Sequence, residues 1–106
     1  MKAYQQGDVL ILQATAIPEG AKPVKPGTRG HVLAEGEHTG HAHTMEATEA
    51  VELFVRDGVL WLRVGEGGAT VTHEEHRAQT VAPGVYKIRR VVEVDPFENE
   101  IRTVAD

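Results

Sequence analysis

The feature that most constrains this chain is a two-residue break, Asp57-Gly58, between two runs of matching length, Val51-Glu-Leu-Phe-Val-Arg56 and Val59-Leu-Trp-Leu-Arg-Val64. Both runs are rich in β-branched, aromatic and aliphatic residues, and Asp-Gly supplies the two positive φ angles of a type I′ turn. Residues 51–64 are therefore predicted to form a β-hairpin. A hairpin alone is marginal in water, so other strands must cover its apolar face.

Other candidate strands lie along the chain at close intervals, separated by Gly and Pro. The residues from Asp8 to Gln13 read as a largely buried strand after Gly7. A Pro/Gly-rich stretch from Ile17 to Gly30, carrying Lys22, Lys25 and Arg29, reads as a long loop. His31–Glu35, Ala69–Thr72 and Gln79–Ala82 read as short strands, and Val85–Val94 as a long one after Pro83-Gly84. In that last strand Tyr86, Ile88, Arg90, Val92 and Val94 share one face, so Arg90 interrupts an apolar row. Helical period is confined to single turns within Glu46–Ala50 and Asp95–Ile101. The pattern predicts an all-β fold for residues 1–106 as a single domain, a small β-barrel or β-sandwich.

Size and composition narrow the function classes. At 106 residues the chain supports one core, and a deep cavity would compete with that core for apolar side chains. A shallow site, or one shared between two copies in a homodimer, fits better, and pairing would also cover exposed strand edges. Cysteine is absent, which removes disulfides, thiolate metal sites and thiol nucleophiles together. No apolar run reaches the roughly 18 residues of a membrane span and no signal core opens the chain, so a cytoplasmic protein without a membrane partner is expected. The net charge of -5 disfavours binding to long nucleic acid, but leaves small nucleotides open, because a few arginines can hold one phosphate.

Chemistry concentrates in histidine. Of six histidines, five fall in His38-Thr-Gly-His41-Ala-His43 and His73-Glu-Glu-His76. His31 stands apart and reads as a structural residue. On a strand, His41 and His43 project from one face and can converge. His38 joins them only if the backbone bends near Gly40. His73-Glu-Glu-His76 is one residue short of the zincin sequence, and on a regular strand its histidines would face opposite ways. A turn or bulge after Thr72 would aim both inward.

Three functions suit this set. The first is a histidine-centred hydrolase holding a divalent metal (Zn, Mn, Fe or Ni) on His41, His43, His73 and His76, with His38 and a carboxylate such as Glu37, Glu46, Glu74 or Glu75 in reach. The second needs no cofactor. One imidazole acts as general base and another as general acid on a cyclic or short oligonucleotide, in the manner of a ring nuclease, while Arg77 or Arg90 braces the phosphate. The third is a non-catalytic metal- or pH-sensing module.

Gly40-His41-Ala42-His43 followed by Glu46 resembles the cupin superfamily, double-stranded β-barrels that typically hold a metal with His-x-His, a Glu and a later His. That resemblance implies a barrel, with His41, His43, Glu46 and one of the later histidines as ligands. Three features differ: Gly36 leaves four residues before His41 where cupins have five, Glu46 follows His43 after two where cupins have three or four, and no histidine follows Pro83-Gly84. The chain as a whole, from Gln6-Gly-Asp-Val-Leu10 to Arg102-Thr-Val-Ala-Asp106, also resembles a family of small proteins of bacteria and their viruses, which implies a stand-alone domain.

Overall fold

A computed structural model describes residues 2–36, 39–95 and 100–103. The described residues contain strands and turns and no helix, as the pattern predicts. A six-stranded antiparallel sheet has the order β1 (Ala3–Gln6), β2 (Val9–Ala14), β10 (Gly84–Arg90), β7 (Val59–Val64), β6 (Val51–Arg56), β3 (Lys22–Val24). A four-stranded sheet has the order β4 (His31–Glu35), β5 (Ala42–Met45), β8 (Ala69–Thr72), β9 (Gln79–Val81). The pair β11 (Val92–Asp95) and β12 (Glu100–Thr103) stands as a separate ribbon.

The predicted hairpin forms in the expected register, Val51 opposite Val64 and Arg56 opposite Val59, with φ of 51° at Asp57 and 76° at Gly58. Its inner residues Val51, Leu53, Leu62 and Val64 are buried with Val9, Ile11, Tyr86 and Ile88 from the same sheet. The four-stranded sheet contributes Leu33, Met45, Val71 and Val81 to that core. Period-two alternation thus places one apolar face of each sheet against the other. Buried Tyr86 donates to the carbonyl of Ala82 at 2.6 Å, which satisfies its polar tip.

Four expectations are corrected. The sheets do not close into a barrel, so neither the barrel alternative nor the barrel implied by the cupin resemblance holds. Where β1 and β9 approach, side chains link them in place of a ladder: Gln79 Nε2 donates to the carbonyl of Gln5, and the Ala82 N–H to the Tyr4 hydroxyl. The loop proposed for residues 17–30 contains β3, whose Pro23 suits an edge strand because it has no N–H to offer a further neighbour. The long strand proposed for residues 85–94 breaks at Val91, whose N–H donates to the carbonyl of Asp8 at 2.7 Å. The helical turn proposed for residues 46–50 does not form: they make a turn closed by the carbonyl and hydroxyl of Thr48. In the segment proposed for 95–101, Asp95 and Glu100 pair across β11 and β12, and 96–99 lie outside the described residues.

Candidate functional site

His41, His43, His73 and His76 gather in one cluster. Residue alternation along β5 sends Thr44 outward and His43 and Met45 inward, and His43 ends fully buried. His41 lies one residue before the strand and is half-buried, with its N–H held by the Thr39 hydroxyl at 3.1 Å. Strand β8 ends at Thr72. The chain bends through His73–Arg77, and that bend brings both histidines of the second segment to the same side, as the turn alternative required. Ring centroids are 4.3 Å apart for His43 and His73, 4.6 Å for His73 and His76, 5.8 Å for His41 and His73, and 5.9 Å for His43 and His76.

Two residues outside the histidine segments complete the cluster. Gln6 ends β1 and Asp8 precedes β2, joined by a tight turn through Gly7 at φ +58°. Gln6 Nε2 donates to the carbonyls of Val71 at 3.1 Å and Arg77 at 2.8 Å, so its Oε1 is left to face His43 Nδ1 at 2.9 Å. His43 Nε2 lies 3.4 Å from Asp8 Oδ1, both side chains fully buried. Asp8 Oδ2 accepts from Arg90 Nε at 3.0 Å and Nη2 at 2.8 Å. Arg90 thus borders the cluster, paired with a buried carboxylate. A β-carbon on Gly7 would fall 2.6 Å from His76 Nε2, so only glycine lets this turn rest against that ring.

The remaining polar contacts orient the second segment. His73 Nδ1 accepts the Glu75 N–H at 3.0 Å, and His41 Nδ1 lies 3.5 Å from Glu75 Oε1. Glu74 accepts the Ala42 N–H at 2.9 Å and Arg29 Nη2 at 3.0 Å. The backbone hydrogen bond from Ala42, followed by that of its own N–H, with His41 and Arg29 nearby, holds the Glu74 carboxyl below its ordinary value. Arg29 also donates to the carbonyl of Gly40, which ties the two histidine segments together.

Beside the cluster, on the outer face of the four-stranded sheet, lies a cleft of about 800 Å³ lined by Arg29, Thr28, Thr44, Glu46, Thr70 and Thr72. A smaller hollow of about 260 Å³ shares Arg29, Thr44 and Thr72 with it and reaches His73 and Glu74. Glu46 therefore lines the cleft, whereas His41, His43, His73 and His76 form the cluster. His38 and Glu37 lie outside the described residues. Arg77 reaches the cluster through its backbone carbonyl, and His31 is buried on β4 beside the cavity near Pro23 and Phe54. Among the described residues, no three His, Asp or Glu side chains converge as a metal-ligand set. Sequence reasoning missed Gln6 and Asp8 as site residues. The only signal for them is a polar pair flanking a glycine just before an apolar strand.

No curated protein and no solved structure matches the chain. No helix among the described residues is long and apolar enough to cross a membrane. Residues 5–91, which carry every residue of the cluster, match the family model described as Domain of unknown function (DUF8820), and the chain belongs to that family.

Proposed function

We propose that the chain is a histidine acid/base hydrolase that cleaves a phosphodiester in a cyclic or short oligonucleotide without a metal. The observation that carries this reading is the way the protein has already used the ring nitrogens. His43 has both facing protein groups, and His73 has Nδ1 accepting a backbone N–H. A divalent ion would have to displace those contacts, because a ligating nitrogen must offer its lone pair to the metal. His41 and His76, each part-exposed beside His73, are the rings left for proton transfer.

In this reading the Glu75 carboxylate, 3.5 Å from His41 Nδ1, favours the tautomer with the hydrogen on that nitrogen, so Nε2 carries the lone pair of a general base. His41 takes the proton of a ribose 2′-OH, and the oxygen attacks phosphorus. His76 returns a proton to the departing 5′-oxygen, leaving a cyclic phosphate and a 5′-hydroxyl. Arg77, exposed and next to His76 in the chain, is the cation assigned to brace the developing charge. Substrate enters along the threonine-lined cleft, and the net charge of -5 favours a short chain. The working unit is a cytoplasmic homodimer; light scattering at micromolar concentration should give twice the chain mass.

The test is cleavage of a small cyclic oligoribonucleotide with and without EDTA, in wild type, His41→Ala and His31→Ala. Cleavage should survive chelation, His41→Ala should lose about 10²–10⁴-fold in rate, and His31→Ala much less. Activity lost to EDTA and restored by Zn, Mn, Fe or Ni would replace this mechanism with the metal-dependent one. Equal losses in the two variants would remove His41 from catalysis.

A further inference from the structure

The outer face of the six-stranded sheet serves neither the core nor the histidine cluster. Alternation with the buried Ile11, Leu53, Leu62 and Tyr86 turns Leu12, Phe54, Trp61 and Lys87 outward. Register places them side by side: Leu12 is opposite Lys87, Lys87 opposite Trp61, Trp61 opposite Phe54, and Phe54 opposite Pro23 on the edge strand. The row crosses five strands, with both rings part-exposed on adjacent strands about 4.8 Å apart. The tyrosines, Tyr4 and Tyr86, pack on the inner side instead.

Charge on this face runs against that of the chain, whose net charge is -5. Arg56, Arg63, Lys87 and Arg89 point outward from β6, β7 and β10, with Glu52 as the acid among them. Arg63 lies 5.3 Å over the Phe54 ring and Lys87 5.6 Å over the Trp61 ring. Arg63 also pairs with Glu52 and Arg56 with Asp57, but among the described residues neither Lys87 nor Arg89 has a carboxylate partner. Past the Lys87–Trp61 pair the ladder between β7 and β10 stops, although β10 stays paired with β2 to Arg90 and β7 with β6 to Val59. A hollow of about 570 Å³ opens there, lined by Lys87, Arg89 and Arg90 beside Val59 and Leu60, with no carboxylate among the described residues of its lining.

We propose that this face binds a short single strand of nucleic acid, stacking bases on Trp61 and Phe54 and holding phosphates at Lys87 and Arg89. Exposed rings beside cations without acid partners match a flexible polyanion that carries planar bases, and stacking accepts any base because each has a π-face. The acidic balance of the whole chain limits the strand to about the length of the row. Self-association through the same face is disfavoured, because an isologous contact would set its cations against those of the second copy. The proposal does not rest on the hydrolase reading: the row lies on the outer side of the sheet that does not carry β5, and binding there needs no turnover.

The experiment is titration of the full chain with a short oligodeoxythymidylate. Binding is read by the anisotropy of a fluorescein-labelled strand and, with an unlabelled one, by the emission of Trp61, the chain's single tryptophan. A deoxy strand has no 2′-OH and cannot be cut by the mechanism proposed above, so binding and cleavage fail independently. Anisotropy should rise and Trp61 emission should be quenched with the same dissociation constant. With two phosphate contacts, log K should fall with log salt at a slope of about -1.4, and in Arg89→Gln at about -0.7. Phe54→Ala removes a part-exposed ring from outside the core and should weaken binding about 10-fold or more. Should it fail to fold, the exposed substitution Arg89→Gln decides in its place. Unchanged anisotropy overturns the proposal, as does binding that leaves Trp61 emission unaltered or that both variants match. Equal quenching by inorganic phosphate would reduce the face to a simple anion site. A response to phosphatidylserine vesicles in place of the strand would give it to a lipid surface, and emission that varies only with protein concentration would give it to a second copy. Each of these three results overturns the proposal.

Discussion

The two histidine segments reach one cluster by different means. His41-Ala-His43 rides on β5, where alternation and ladder hydrogen bonds fix direction, and its inner member is locked between Gln6 and Asp8. His73-Glu-Glu-His76 lies on a bend, and its direction comes from contacts: the Glu75 N–H on His73, Gly7 under His76, and Gln6 on the carbonyl of Arg77. A strand supplies a ring that cannot move. A bend supplies rings whose placement depends on small neighbours. Each segment in turn splits into a buried member, His43 or His73, and a part-exposed one, His41 or His76.

The largest effect should come from breaking the locked ring. His43→Ala removes a buried ring beside the Asp8 carboxylate and leaves Gln6 Oε1 facing a cavity, so it should destabilise the fold by about 3 kcal/mol or more. His41→Ala removes a half-exposed side chain and should cost less than about 1 kcal/mol. Urea unfolding of both variants measures the difference. Equal costs would mean that the strand segment has no buried and exposed halves in energetic terms.

Next in size is the support of the bend. Gly7→Ala places a methyl group on the His76 ring and asks a non-glycine residue to hold φ +58°, which together should cost about 1–3 kcal/mol. The His76 imidazole resonances should shift while those of His41 stay in place. If His41 moves as much as His76, the two segments are not separately supported.

How far this arrangement was legible follows from the same contrast. The strand segment could be read in part: the period of two made His41 and His43 a convergent pair, of which β5 buries His43, and Asp57-Gly58 located the hairpin whose inner face joins the core. The bend could be stated only as an alternative, because two residues between histidines fit a turn or a broken strand equally well. Gln6 and Asp8 were not legible as site residues, since their roles come from contacts 37 and 35 positions away in the chain, which local pattern does not encode. β3 was hidden by Pro23, which argues against a central strand but permits an edge. Arg90 was visible as an anomaly in an apolar row, and the structure supplies the carboxylate that explains it.

An alkaline control separates the core from the cluster. Burial, with Tyr4 beside it, pushes the Tyr86 phenol up from 10.0 to about 12. The folded state therefore holds this proton after the unfolded chain has released it. The associated stability is present below pH 10 and lost as pH rises toward 12, amounting to about 3 kcal/mol. Tyr86→Phe should flatten the fall in melting temperature between pH 10 and 12 without changing the region near neutrality. A change near neutrality would show that the histidines and the core do not titrate as separate units.

The smallest effect expected is at Glu74, the acid on the rim where the two segments meet. Its carboxyl is held below its ordinary value first by the Ala42 N–H, so the folded state favours the ionised form. The stability this gives is present above the ordinary carboxylate range and disappears as pH falls through the lowered folded value. Glu74 is exposed and its ion pair with Arg29 is open to solvent, so the contribution is small and salt-sensitive. Glu74→Gln keeps an oxygen for the Ala42 N–H and loses only the charge. It should leave stability at pH 7 nearly unchanged, and soften the acid limb of a melting curve recorded at low salt. A clear loss at pH 7 would mean that Arg29 and Glu74 jointly hold the strand and the bend in register. The strand segment would then owe its position to the rim as much as to Gln6 and Asp8.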